Sequence, residues 1–126
     1  MKFTSFHPLI VTKDAQSTIA VFEALGFEKR HTITVRSSSG RDVTSVNMKS
    51  PDGFYVDVAQ ADHLESDLTL IRMNVDDFGE AYDMLTDKGF VNSAGDKTVD
   101  SKTNTSAMMI APSGFAFDLC HHIKEQ

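Results

Sequence analysis

Pro51-Asp52-Gly53-Phe54-Tyr55-Val56-Asp57-Val58 and Pro112-Ser113-Gly114-Phe115-Ala116-Phe117-Asp118-Leu119 carry proline, glycine, phenylalanine and aspartate at the same places, 61 residues apart. A second match, Leu25-Gly26-Phe27 with Lys88-Gly89-Phe90, recurs at an offset of 63. Chance supplies one such match readily. Two in the same order, within the same expected elements, mark a duplicated unit. In each copy a Pro-x-Gly turn feeds a strand, and a Gly-Phe step closes a helix, glycine taking the left-handed cap conformation at no steric cost.

Working outward, residues 3–12 are rich in aromatic and aliphatic types and read as a strand. Asp14 can cap the helix that follows, whose face is marked by Ile19, Phe22 and Leu25 up to Gly26. Phe27–Val35 alternates as a strand, Ser37-Ser38-Ser39-Gly40 turns, Asp42–Met48 returns, and Phe54–Ala59 follows the proline turn. A polar link, Asp62–Asp67, leads to a strand at Leu68–Val75. Asp77 with Glu80 makes an acidic variant of the capping box, and Phe78, Ala81, Tyr82 and Leu85 fall at helical spacing up to Gly89. Residues 90–100 read as a polar strand, then Thr105–Ala111 and Phe115–His122 as two more. Each half is β-α-β-β-β. The expectation is one α+β domain over residues 1–126, with repeats at 1–61 and 67–122.

Composition narrows the partners. With 12 Lys and Arg against 18 Asp and Glu, the formal charge is −6, and the basic residues are scattered along the sequence. Phosphate backbones require clustered cations, so nucleic acid is not expected; a basic or hydrophobic small molecule is the electrostatically easier partner. No apolar run reaches the roughly 20 residues that cross a bilayer, and the start has no signal-peptide pattern. One cysteine, Cys120, makes no internal disulfide, which points to a reducing, cytoplasmic setting.

The order and doubling of three features, His7 ahead of Asp14, the Leu25-Gly26-Phe27 helix end and the Pro-x-Gly turn into an acid-bearing strand, resemble the vicinal oxygen chelate superfamily. That superfamily holds glyoxalase I, bleomycin-resistance proteins and extradiol dioxygenases, and the resemblance covers nearly the whole chain. It implies an α+β fold in which the two βαβββ repeats form curled mixed sheets around a shared cavity, and a homodimer. It also implies that a divalent metal, where present, is held by one side chain from the first and one from the fourth strand of each half. Those positions here are His7, Asp57, Leu70 and Asp118. Leucine ligates nothing, and aspartate is one methylene shorter than the family's usual glutamate, so the resemblance leaves His7, Asp57 and Asp118 as an incomplete set.

Alternation places Tyr55, Asp57 and Ala59 on one strand face and Phe54, Val56 and Val58 on the other; Ala116, Asp118 and Cys120 likewise oppose Phe115, Phe117 and Leu119. The apolar trios are expected under the helices and the aspartates in the pocket, where a carboxylate needs a partner. One reading gives the aspartates to a metal with His7, a ligand set suited to iron or manganese. The other uses Arg72, on the same face as Leu70, to neutralise an aspartate and leave no charge for a cation. Met108 and Tyr55 join these as pocket residues, while Met48, Met109 and Phe6 read either as cavity wall or as gap filler. Cys120 reads as a buried filler, and His121 and His122, facing opposite ways, as edge residues. Two functions follow. The first is a small-molecule-binding protein, of the antibiotic-sequestration type, with no metal and a degenerate site. The second is a metal-dependent lyase, isomerase or dioxygenase, whose proton carrier would have to be one of the same aspartates. A bland third is a family-like scaffold kept for assembly or regulation.

Overall fold

The structure, a computed structural model, describes residues 1–36, 42–62, 64–100 and 104–122. The expected turn at 37–40 lies outside them. The elements run β1 (Phe3–Thr12), α1 (Ala15–Ala24), β2 (Glu28–Arg36), β3 (Asp42–Lys49), β4 (Tyr55–Gln60), β5 (Leu68–Val75), α2 (Phe78–Asp87), β6 (Val91–Asn92), β7 (Val99–Asp100), β8 (Asn104–Ile110) and β9 (Ala116–His122). This is the doubled β-α-β-β-β order, with one difference. Residues 90–100 are two short strands, because Asn92 breaks the run. Its side chain accepts from Ala94 N at 2.9 Å and donates to the Lys97 carbonyl at 2.9 Å, and Gly95 turns at φ 78°. No helix among the described residues is long and apolar enough to cross a membrane.

The chain forms two compact units. His7–Leu70 is one, with strands in the order β2-β3-β4-β1, antiparallel except that β1 and β4 run parallel. Its core is Met48, Val56 and Val58 packed against Ala15 and Ile19 of α1, with Phe22 and Phe27 at the edge. The second unit joins Met1–Phe6 to the chain from Ile71 onward, with β5-β9-β8-β6 in order and β7 also on β8. There Met73, Val75, Met109 and Leu119 pack with Ala81 of α2, flanked by Phe78, Tyr82 and Leu85. Met48, Met109 and Leu119 are wholly buried, so the two methionines fill core, and each such side chain contributes roughly 1.5–3 kcal/mol.

The repeated residues turn out to be one mechanical joint used twice. At the end of α1, Gly26 N donates to Glu23 O and Phe27 N to Phe22 O, a Schellman cap with the two phenylalanine rings 5.3 Å apart. At the end of α2, Gly89 N donates to Thr86 O and Phe90 N to Leu85 O in the same pattern. Both glycines have φ near 100°, at 102° and 95°. Each abuts the proline of its own half: a Cβ built on Gly26 would lie 3.7 Å from Pro51, and one on Gly89 3.0 Å from Pro112. The proline turns match too, Gly53 N donating to Ser50 O and Gly114 N to Ala111 O. The helix cap and the turn into the acid-bearing strand therefore lock against each other, which fixes where that strand begins.

Candidate functional site

In the first unit the strand after this joint, β4, carries Asp57 on the sheet face opposite α1. The antiparallel register sets Asn47 of β3 opposite Asp57, and the parallel register sets Leu9 of β1 opposite it on the other side. His7, two residues before Leu9, shares that face. His7 Nε2 lies 2.9 Å from Asp57 Oδ2, and Asn47 Nδ2 donates to Asp57 Oδ1 at 2.6 Å. All three are buried, Asp57 to 3% exposure. A carboxylate only accepts, so it orients both neighbours: the hydrogen of the imidazole sits on Nε2, and the amide presents nitrogen. That leaves His7 Nδ1 and Asn47 Oδ1 as acceptors, and both are buried with no hydrogen-bond partner among the described residues. Such an oriented imidazole can receive a hydrogen bond or a proton at Nδ1.

Tyr55 begins the same face, half-buried, with its ring 6.1 Å from that of His7. The Arg30 guanidinium and the Lys49 ammonium each stand over it, 5.3 and 5.4 Å from the ring centre. Beside them opens a cleft of about 330 Å³ lined by Gly26, Glu28, Lys29, Arg30, Lys49, Ser50 and Pro51.

In the second unit the strand equivalent to β4 is β9, and its acid is Asp118. Here the neighbours differ. Arg72 stands directly opposite Asp118 in the parallel β5/β9 register, and Met108 opposite it in the antiparallel β8/β9 register. Arg72 Nε donates to Asp118 Oδ2 at 2.8 Å, the pair only partly exposed. Leu70, which matches His7 in the repeat and closes the first unit, is buried. Cys120 is buried and its thiol lies 3.6 Å from the Asp118 carbonyl. His121 Nδ1 meets the Val75 carbonyl at 2.8 Å, while His122 is exposed.

Within the first half the structure thus gathers His7, Asp57 and Tyr55, and within the second Arg72, Asp118 and Met108. Sequence reasoning missed Asn47, although counting back across the Ser50–Phe54 turn sets it opposite Asp57. It also missed Arg30, whose placement depends on a bulge: the β2/β3 register shifts between Lys29 and His31. Among the described residues, no three His, Cys, Asp or Glu side chains are grouped so as to hold one metal ion.

The sequence matches no family model and no curated protein. Solved structures do match. A glyoxalase/bleomycin resistance protein/dioxygenase superfamily member from Vibrio splendidus 12B01 is 16% identical, covering 95% of this chain and 99% of that one at a TM-score of 0.61. A methylmalonyl-CoA epimerase variant from Streptomyces coelicolor is 17% identical, with 94% and 96% covered and a TM-score of 0.66. A glyoxalase I variant from Zea mays is 15% identical with a TM-score of 0.65; the match covers 98% of this chain and 46% of the maize one. The chain has the fold of these proteins.

Proposed function

We propose that this chain is a small-molecule-binding protein on the glyoxalase/bleomycin-resistance fold, in which hydrogen bonds and an ion pair occupy the acids that a metal would use. The observation that carries this reading is the engagement of Asp57: each of its oxygens already receives a donor, one from His7 and one from Asn47. Asp118 holds the Arg72 guanidinium, and Leu70 offers no lone pair. A divalent ion needs bare oxygens or nitrogens converging on one point. His7, Asp57 and Asp118, the residues that would hold it, do not fit that requirement, because each acid already accepts from a side chain of its own unit. Sequestration of an antibiotic or another small ligand suits such a face, which combines Tyr55 with buried acceptors. A homodimer fits the exposed Phe3 and Phe6 on β1, and sedimentation at increasing concentration tests it.

Elemental analysis of protein purified without chelator or added metal tests the proposal, alongside titration with zinc, nickel, manganese and iron. The expected result is sub-stoichiometric metal and no saturable uptake, while a thermal-shift screen of small molecules finds stabilising ligands. One equivalent of a transition metal, lost on His7→Ala, would overturn it in favour of a metal-dependent lyase, isomerase or dioxygenase.

A further inference from the structure

We infer that the cleft beside Tyr55 is an oxyanion site, and that the ligand of this protein carries a phosphate or carboxylate group. The inference deepens the small-molecule reading above and rests on it. The chain as a whole is acidic, at −6, yet Lys29, Arg30 and Lys49 all line this one cleft of about 330 Å³, opposed by Glu28 alone among the lining residues. A cleft responds to its own charges more than to the net charge of the chain, because its walls focus the local field. The net charge by itself would favour a basic ligand; the cleft favours the opposite.

Two features show that the cations are placed rather than scattered. Arg30 sits where the β2/β3 register shifts, between Lys29 paired with Met48 and His31 paired with Asn47. A bulge adds one residue to a strand and re-aims its side chain, here bringing the guanidinium over Tyr55. Lys49, opposite Tyr55 in the β3/β4 register, brings a second cation to the same ring. Two like charges over one ring repel, and an oxyanion between them removes that repulsion while accepting charge-assisted hydrogen bonds. Tyr55 continues toward His7, 6.1 Å away ring to ring, so the rest of the ligand lies along the face that carries His7, Asp57 and Asn47.

Isothermal titration of the full chain with phenyl phosphate, inorganic phosphate and phenol, at low and then physiological ionic strength, tests the site. Wild type is expected to bind phenyl phosphate more tightly than phenol, and more weakly as salt rises. Arg30→Gln/Lys49→Gln is expected to lose about tenfold or more in affinity, whereas Lys13→Gln/Lys88→Gln, which changes net charge equally, loses less than about twofold. Inorganic phosphate binding as well as phenyl phosphate would keep the site and make the anion its whole ligand. Circular dichroism checks that both double variants remain folded. Equal losses in the two double variants, or no phosphate binding by folded wild type, would overturn the assignment. If neutral compounds still stabilise the protein in that case, only the oxyanion falls; if none does, the small-molecule reading falls with it.

Discussion

Arg72 donates its Nε hydrogen to Asp118 Oδ2 over 2.8 Å from the position directly opposite on a parallel strand, the position that Leu9 holds against Asp57 in the first half. The two registers make the halves comparable residue by residue. Asn47 and Met108 are equivalent, each opposite the acid on the antiparallel neighbour. His7 and Leu70 are equivalent, each two residues before the parallel partner. In the first half the acid is satisfied by His7 and Asn47 while Leu9 is apolar. In the second half both of those donors are gone, replaced by Leu70 and Met108, and the donor has moved to Arg72. The same need to pair an acid on the sheet face, buried at Asp57 and partly buried at Asp118, is met twice with donors from different positions, as the cost of an unpaired carboxylate requires.

Arg72→Leu should therefore destabilise the fold by about 1.5–3 kcal/mol, the range for a hydrogen bond to a charged group. Arg72→Leu/Asp118→Leu should recover part of that loss, because it removes the stranded acid along with its partner. Urea unfolding of the wild type and both variants checks the order. A double variant less stable than the single by the full cost of a second mutation would show that the two side chains act independently.

The His7–Asp57 contact should be strongly coupled. His7→Ala and Asp57→Asn each leave a buried polar group short of a partner, at about 1–3 kcal/mol. The double variant should cost less than the sum, giving a coupling of roughly 0.5–3 kcal/mol in a double-mutant cycle. Strict additivity in chemical denaturation would mean that the 2.9 Å contact contributes nothing to stability. The ¹⁵N shifts of the imidazole provide a second reading: in wild type the hydrogen should reside on Nε2, and Asp57→Asn should redistribute it.

Most of the fold was legible because the duplicated residues are the ones whose geometry cannot vary. Gly26 and Gly89 need positive φ, and Pro51 and Pro112 must seat against them, so those letters persist while their neighbours drift. The run at 90–100 misled because only its ends, around Val91 and Val99, have strand character, while the side-chain bonds of Asn92 that interrupt it have no periodic signature. At the site, alternation found the faces of Asp57 and Asp118 and paired Arg72 with an acid. It did not weigh Asn47, since an asparagine between Val46 and Met48 reads as an ordinary outward polar residue until the hairpin register is counted. Nor could it find the Arg30 cluster, which depends on one extra residue in β2.

Gly89→Ala should cost more than Gly26→Ala, although the two caps are equivalent. Each substitution forces a non-glycine residue to positive φ, at roughly 1–2 kcal/mol. Only at Gly89 does the new Cβ also meet Pro112 Cγ at 3.0 Å, against 3.7 Å to Pro51 at Gly26. Thermal unfolding should rank wild type above Gly26→Ala and Gly26→Ala above Gly89→Ala. Equal melting temperatures for the two variants would mean that the Pro112 ring moves aside freely.

Asp14 gives a pH dependence with a definite sign. Its side chain accepts from Ser17 Oγ at 2.7 Å and from Ser17 N at 3.1 Å, and the hydroxyl bond, then the backbone bond, holds its carboxyl below the usual 3.8. A group whose pKa falls on folding binds fewer protons in the native state, so its stabilisation is present above 3.8 and lost as pH drops through the lowered native value. Asn is itself a good helix cap, so Asp14→Asn keeps an acceptor at the N-terminus of α1 and removes only the titration. Wild type should therefore melt higher than Asp14→Asn at pH 7, and the gap should close or reverse on acidification below about pH 4, where protonation begins to strip the charge from Asp14. Asp76 behaves in the same direction, held low mainly by the Lys2 backbone N–H at 2.6 Å, so the comparison should be repeated in an Asp76→Asn background. A gap that widens on acidification in both backgrounds would show that the Ser17 bonds do not favour the ionised cap.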